Sequence, residues 1–329
     1  MKRLLFIGGT VLAAMLFAPM PLVTGAKAQA FPSKAVKVVV AFPPGGNTDV
    51  TARGVTQRLS KLWEQPVIVE NRPGAGGSIG AEYVAKAAPD GYTLFFADIP
   101  TLAINPHLYT KLSYNPLTDF APITVLFHSS PVLGLSNAVP AKSFSEFLAY
   151  AKANPGKLSY GSFGNGTYTH VATEQLKQMA GLDLVHVPYK GGAQALTDLM
   201  AGRLALMMAV YALFEPHEKA GKLKVIAAVT EKRLSVRPDL PTVSESGVPG
   251  YSVSTWTAMV APAGTPIPVL DSIHTAIVKI LRDPEFSERF LKPQALEPGG
   301  NSREEFASMI KVEYERWGQL VKATGAKLD

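Results

Sequence analysis

One arrangement recurs four times in this 329-residue chain: an apolar run of strand length, a glycine-rich loop, and then a helix. The first loop is Phe42-Pro43-Pro44-Gly45-Gly46-Asn47-Thr48-Asp49. The second is Asn71-Arg72-Pro73-Gly74-Ala75-Gly76-Gly77-Ser78. The third runs from Gly161 through Ser162, Phe163, Gly164, Asn165, Gly166 and Thr167 to Tyr168, Thr169 and His170. The fourth is Pro188-Tyr189-Lys190-Gly191-Gly192. Strands alternating with helices dictate βαβ units and mostly parallel sheets, an α/β fold.

The loops carry the chemistry. Glycine adopts backbone conformations closed to other residues and lets a ligand approach the main chain. A helix N-terminus presents unpaired N–H donors and a partial positive charge. That combination binds carboxylate, phosphate or sulfate. In open α/β sheets ligands sit beyond the carboxyl ends of the strands, where these loops lie. The candidate ligand contacts are therefore Phe42, Gly45, Gly46, Asn47 and Asp49 in the first loop and Gly76, Gly77 and Ser78 in the second. Ser162, Gly166, Thr167, Thr169 and His170 belong to the third, and Tyr189 and Gly191 to the fourth. Ser78, Ser162, Thr167 and Thr169 offer hydroxyl donors. Asp49, in a helix first turn, reads as a loop-bracing carboxylate rather than a general base. For His170 two roles stand side by side: contact with a ligand carboxylate, or packing and hydrogen bonding between domains. His186 lies in an apolar strand and reads as a satisfied core histidine.

Nucleotide binding does not fit. Gly74-x-Gly76 is followed by Ile79, and Gly164-x-Gly166 by Thr169, so neither completes G-x-G-x-x-G, and no phosphate-binding lysine loop exists. The six histidines show no metal-binding spacing, and no G-x-S-x-G elbow is present. No catalytic set, metal site or cofactor is expected. The chain has no cysteine, which removes disulfides, thiol chemistry and cysteine-linked lipid anchors.

The first thirty residues read as an export signal. Lys2 and Arg3 precede an apolar stretch broken by Gly8, Gly9, Pro19 and Pro21, and Ala28-Gln29-Ala30 is a cleavage site. No later stretch reaches the roughly 20 apolar residues that span a bilayer. Cleavage after Ala30 removes Lys2, Arg3 and Lys27, so the net charge falls from +6 to +3. That mild balance suits encounter with anions and gives no sign of a nucleic-acid partner. A composition with 47% hydrophobic and 18% charged residues supports a packed core in roughly two domains.

Three segments show helical period: Val55, Leu59, Leu62 and Trp63 on one face; Leu270, Ile273, Ile277, Ile280 and Leu281 on another; and Phe306, Ile310, Trp317 and Val321 on a third. Ser302 with Glu305, and Ser143 with Glu146, form capping boxes. Strand-like runs include 36–42, 67–70, 92–97, 132–135, 184–187 and 225–229. Residues 122–140 and 251–262 read as extended crossings between domains. The expected division is a signal at 1–30, a first domain from 31–130 plus 251–329, and a second from 131–250.

The sequence resembles the Bug family of extracytoplasmic solute receptors, the binding-protein component of tripartite tricarboxylate transporters. The resemblance covers residues 31–329. It rests on FPPGGNTDVTAR at 42–53, VIVENRPGAGGSIGAEYVAKAAPDGYTL at 67–94, INPHLY at 104–109, GNGTYTH at 164–170, HVPYKGGAQALTDLMAG at 186–202, LPTVSESGVPGY at 240–251 and APAGTP at 261–266. It implies a type II periplasmic-binding-protein fold, with two α/β domains joined by two crossing strands and a ligand cleft between them. It also implies a small carboxylate ligand and membrane transporter subunits as partners. By the resemblance, 42–49 and 74–78 line one wall of the cleft, and 162–170 with 189–192 line the other. Two other roles for the same cleft stay open: a sensor for a signalling partner, and a small-acid hydrolase or isomerase.

The chain departs from the family pattern after Gly202, where Ala205 and Ala209 replace acidic residues, and at Asp98, where a small neutral residue is usual. If Ala209 faces the cleft beside Met207 and Met208, an ammonium group finds no partner, so the expected ligand is a carboxylate without a free amine. Asp98 is the objection to that expectation.

Overall fold

The computed structural model describes residues 31–253 and 255–325, so the expected export signal lies outside the described residues. Two mixed sheets with flanking helices make up the fold. Strands β1 (Val36–Val40), β2 (Val67–Asn71), β3 (Thr93–Asp98), β4 (Phe120–Ser129), β10 (Trp256–Pro262) and β11 (Leu296–Pro298) form a six-stranded sheet in the order β11-β4-β10-β3-β1-β2. Strands β5 (Pro131–Ser136), β6 (Leu158–Ser162), β7 (Leu184–Pro188), β8 (Leu206–Val210) and β9 (Leu223–Ala228) form a second sheet in the order β7-β6-β8-β5-β9. The helices are α1 (Asn47–Trp63), α2 (Ser78–Ala85), α3 (Asn105–Leu108), α4 (Phe144–Lys152), α5 (Tyr168–Ala180), α6 (Gly192–Met200), α7 (Tyr211–Lys219), α8 (Ile267–Leu281), the single turn α9 (Pro284–Phe286) and α10 (Arg303–Thr324).

Strand β1, between β3 and β2, shows why its run is almost continuously apolar. Successive side chains alternate between faces. Val36, Val38 and Val40 pack with Val55 and Leu59 of α1 and Ile273 and Ile277 of α8. Val39 points the other way, into a core shared with Ala81 and Val84 of α2 and Phe306 and Trp317 of α10. A strand covered on both faces needs apolar residues on both. Truncating fully buried Leu59 to alanine would cost about 2–5 kcal/mol. The predicted stripes of α8 and α10 are buried throughout, but Leu62 of α1 is exposed, because the helix face turns outward in its last turn.

The expectation of mostly parallel sheets is corrected. β1–β2, β1–β3, β6–β7 and β6–β8 are parallel, whereas every pairing made by β4, β5 or β10 is antiparallel. The physical reason is the crossing: a chain that leaves one sheet along β4 enters the other along β5 and runs against the βαβ units of both. Only Ser130 separates the two strands, and its hydroxyl donates to the Ala295 carbonyl at 3.0 Å. The return crossing runs alongside. Ser129 N donates to Thr255 O at 2.9 Å and Val253 N to Val229 O at 2.7 Å. Helix α10 is tied to this crossing through Arg316, which donates to the Ser252 carbonyl. Its start carries the full capping box of Ser302 and Glu305. At α4 the Ser143 cap is made, but Glu146 reaches the N–H of Lys142 rather than that of Ser143.

Candidate functional site

Parallel strands deliver their loops to a common edge. The first and second loops follow β1 and β2, and Asp98 ends β3 beside them. The third and fourth loops follow the parallel pair β6 and β7 at one edge of the other sheet. The helices that begin at these four loops, α1, α2, α5 and α6, have Gly46, Gly77, Thr167 and Gly191 at their N-caps, and none of these makes a side-chain cap. Helices α4 and α10 are capped by serine, and α7 and α8 begin without a side-chain cap but also without a glycine-rich loop. Uncapped starts leave N–H donors and dipole charge for another acceptor.

The first and second loops are braced together. Asp49, almost fully buried, accepts from Gly45 N at 2.9 Å, Arg53 Nε at 2.9 Å and Asn71 Nδ2 at 2.9 Å. Asn71 Nδ2 also donates to the Phe42 carbonyl at 3.0 Å. The Arg53 hydrogen bond holds the Asp49 carboxyl down to about 2 against the cost of burial. This carboxylate is spent on its own loop, as its helix position predicts. The second loop rests on a segment that the sequence reading did not single out as a site. Buried Asn105 donates to the Gly76 carbonyl at 2.9 Å and to Ser78 Oγ at 3.2 Å. Its signal was the INPHLY motif. Gly77, at φ 94°, leaves no room for a side chain, since a Cβ there would stand 2.6 Å from Thr101 Cγ2.

The third and fourth loops meet where Tyr189 N donates to the Ser162 carbonyl at 3.0 Å. Ser162 and Thr169 are fully buried, so their hydroxyls brace the loop instead of facing outward. Ser162 Oγ shares a 2.7 Å hydrogen bond with His186 Nε2, and Thr169 Oγ1 accepts from Phe163 N at 3.0 Å. The Thr167 hydroxyl donates to the Gly164 carbonyl at 2.8 Å. The Tyr189 phenol O–H donates a hydrogen bond to Asp198 Oδ2 at 2.7 Å. Half-buried His170 accepts from Gly166 N and stacks on His186 with ring centroids 4.1 Å apart. Burial lowers the pKa of both rings, that of His186 to about 4. His186 is a satisfied histidine, as its strand suggested, although half-buried rather than fully enclosed.

The four positions after Gly202 that bore on the ligand lie in or beside β8, which runs parallel to β6 towards the third loop, but their side chains are turned into the core. Met207 and Ala209 lie in one hydrophobic cluster with Phe214, and Ala205 and Met208 in another with Leu206, all buried. They offer no wall to a ligand and so do not bear on whether it carries an amine. Asp98 stays half-open, although protein atoms around it raise its pKa to about 6 by desolvation. Among the described residues no group of three or more His, Cys, Asp or Glu could hold a metal ion.

The sequence pattern of the tripartite tricarboxylate transporter family receptor, TctC, matches residues 51–326. This chain belongs to that receptor family. The receptor is 32% identical to BugT of Bordetella pertussis over 330 residues, covering 100% of this chain and 99% of BugT. Its fold is similar to that of a periplasmic transporter of known structure, with TM-score 0.80, 42% identity, and coverage of 91% of this chain and 100% of that one. It is also similar to an R. palustris protein solved with adipate, with TM-score 0.81, 35% identity, and coverage of 91% and 100%. Family and fold are those of solute-binding receptors. No helix among the described residues is long and apolar enough to cross a membrane.

Proposed function

We propose that the receptor is exported, cleaved after Ala30, and captures a small carboxylate in the periplasm for delivery to membrane subunits of a tripartite tricarboxylate-type transporter. The observation that carries this reading is the four glycine-rich loops that open helices without a side-chain cap, those of α1 and α2 at an edge of one sheet and those of α5 and α6 at an edge of the other. Backbone N–H groups there favour negative charge. A relative that was solved with adipate supports a carboxylate as the ligand. Gly45, Gly46, Asn47, Gly76, Gly77 and Ser78 form one wall, and Gly166, Thr167, His170, Tyr189 and Gly191 the other. Phe42 joins the first wall, while Asp49, Ser162 and Thr169 hold the loops in shape. Residues 31–130 with 251–329 move as one domain and 131–250 as the other, bending at Ser130 and at the paired crossing beside it.

A thermal-shift screen of mono-, di- and tricarboxylates, followed by calorimetry, tests the reading. A carboxylate at 100 times its dissociation constant adds about 2.7 kcal/mol of stability. Solution scattering with that ligand at saturation should show a smaller radius of gyration. A panel without a stabilising carboxylate would remove the function, and an unchanged radius would remove the closure.

A further inference from the structure

Asp98 is the last residue of β3, between β1 and β10, on the edge that carries the first and second loops. One of its oxygens is committed: Oδ1 accepts from Thr101 N at 3.0 Å and from Thr101 Oγ1 at 2.8 Å. Thr101 is held in turn, because its carbonyl accepts from the buried Tyr114 hydroxyl at 2.6 Å. Its methyl group fills the space beside Gly77, so the turn and the second loop are one packed unit. The carboxyl is therefore fixed in place. Its other oxygen, Oδ2, has no hydrogen bond among the described residues, and no arginine, lysine or histidine among them pairs with it. Asp98 is only partly buried and Oδ2 is not among the enclosed unpartnered side-chain atoms, so this oxygen is open to a donor brought by a ligand.

We infer that Asp98 is a specificity-determining residue of the carboxylate site, accepting through Oδ2 from a hydroxyl or ammonium group that the ligand carries in addition to its carboxylate. The inference rests on the receptor reading above and narrows it to hydroxy- and amino-carboxylates. Desolvation, which brings the Asp98 pKa to about 6, is what such a donor would relieve. A second carboxylate placed against the same oxygen would instead meet like charge. The Thr101 turn alone does not require an acid here, since asparagine or serine also accepts from a backbone N–H at this kind of position.

The test is calorimetry at pH 7.5 with succinate, L-malate, L-aspartate and adipate, on the wild type and on Asp98→Asn and Asp98→Ser. The carbon chain is the same in the first three, and only the donor differs. The wild type should bind L-malate or L-aspartate about tenfold or more tighter than succinate, the factor carried by a hydrogen bond to a charged group. A larger gain for L-aspartate assigns ammonium, and a larger gain for L-malate assigns hydroxyl. In Asp98→Asn the free atom becomes an N–H donor, so the preference should vanish or turn towards succinate. In Asp98→Ser it should vanish. Equal wild-type affinities for succinate and the donor-bearing acids would overturn the inference while leaving the receptor reading intact. So would a preference that survives both substitutions. If no carboxylate binds the wild type, the receptor reading fails and this one with it.

Discussion

Gly166 donates its backbone N–H to Nδ1 of His170 at 3.1 Å, so the third loop closes on a ring nitrogen that must be unprotonated to accept. The same ring stacks on His186, whose Nε2 is engaged with Ser162. The pair ties the backbone of the loop to the strand behind it.

This arrangement makes stability sensitive to acid. Burial lowers the pKa of both histidines below the free value of about 6.5, that of His186 to about 4. The unfolded chain therefore binds protons first, so their contribution is complete above about pH 6.5 and is lost as pH falls towards 4. Asp98 works in the opposite direction, since its raised pKa favours the folded form as it takes a proton. The readout is therefore a comparison: His186→Phe keeps the ring stack, and its denaturation midpoint should fall less between pH 7.5 and 4.5 than that of the wild type. Parallel declines would show that the histidine pair is not the source.

Asp49 offers a test of loop bracing. Asp49→Ala removes the acceptor of the Gly45 N–H and one acceptor each of the Asn71 amide, which keeps the Phe42 carbonyl, and the Arg53 guanidinium, which keeps Asn71 Oδ1. A loss of about 1–3 kcal/mol is expected in urea denaturation at pH 7. Since the pKa of this carboxyl is lowered to about 2, its contribution should persist down to about pH 4 and fade below. A substitution that costs nothing would mean that water replaces all three bonds.

Two glycines with left-handed backbone separate conformational strain from crowding. Gly181, at φ 63°, ends α5 with open space around a would-be Cβ, so Gly181→Ala should cost about 1–2 kcal/mol. Gly77, at φ 94°, adds an overlap with Thr101 and Ala41, and Gly77→Ala should cost at least about 1–3 kcal/mol more. Equal losses in thermal denaturation would contradict the packing of the second loop against Thr101.

Asn105 connects a buried segment to that same loop. Removing its side chain in Asn105→Ala frees the Gly76 carbonyl and the Ser78 hydroxyl. Carboxylate affinity should drop by about tenfold, through the loss of a hydrogen bond that orients the loop. Calorimetry with the tightest-binding acid of the screen checks this. Asn105→Asp, which keeps the shape but cannot donate, should behave like alanine.

How much was legible in the sequence depended on how local the cause was. The helix of Leu270 to Leu281 and the capping box of Ser302 and Glu305 depend on residues three or four apart, and both form as read. The four loops also follow from local chemistry, because glycine at positive φ and a helix start are properties of short segments. The role of Asp49 could be anticipated from its place in the first turn of α1.

What the sequence by itself determined was the alternation of strands and helices, the glycine loops at the strand ends, and most of the buried stripes. The physical reason is that propensity, capping and periodicity act within a few residues. Only the tertiary structure decided the antiparallel course of β4, β5 and β10, the burial of Ala205 and Ala209 in the core, and the company kept by Asp98. Each of those depends on partners far along the chain: Ala209 is enclosed by Val132 and Phe214 across its sheet and from α7, and the strand that ends at Asp98 pairs with one from residues 256–262. Burial and desolvation are properties of everything that surrounds a side chain, and that surrounding exists only once the sheets have assembled.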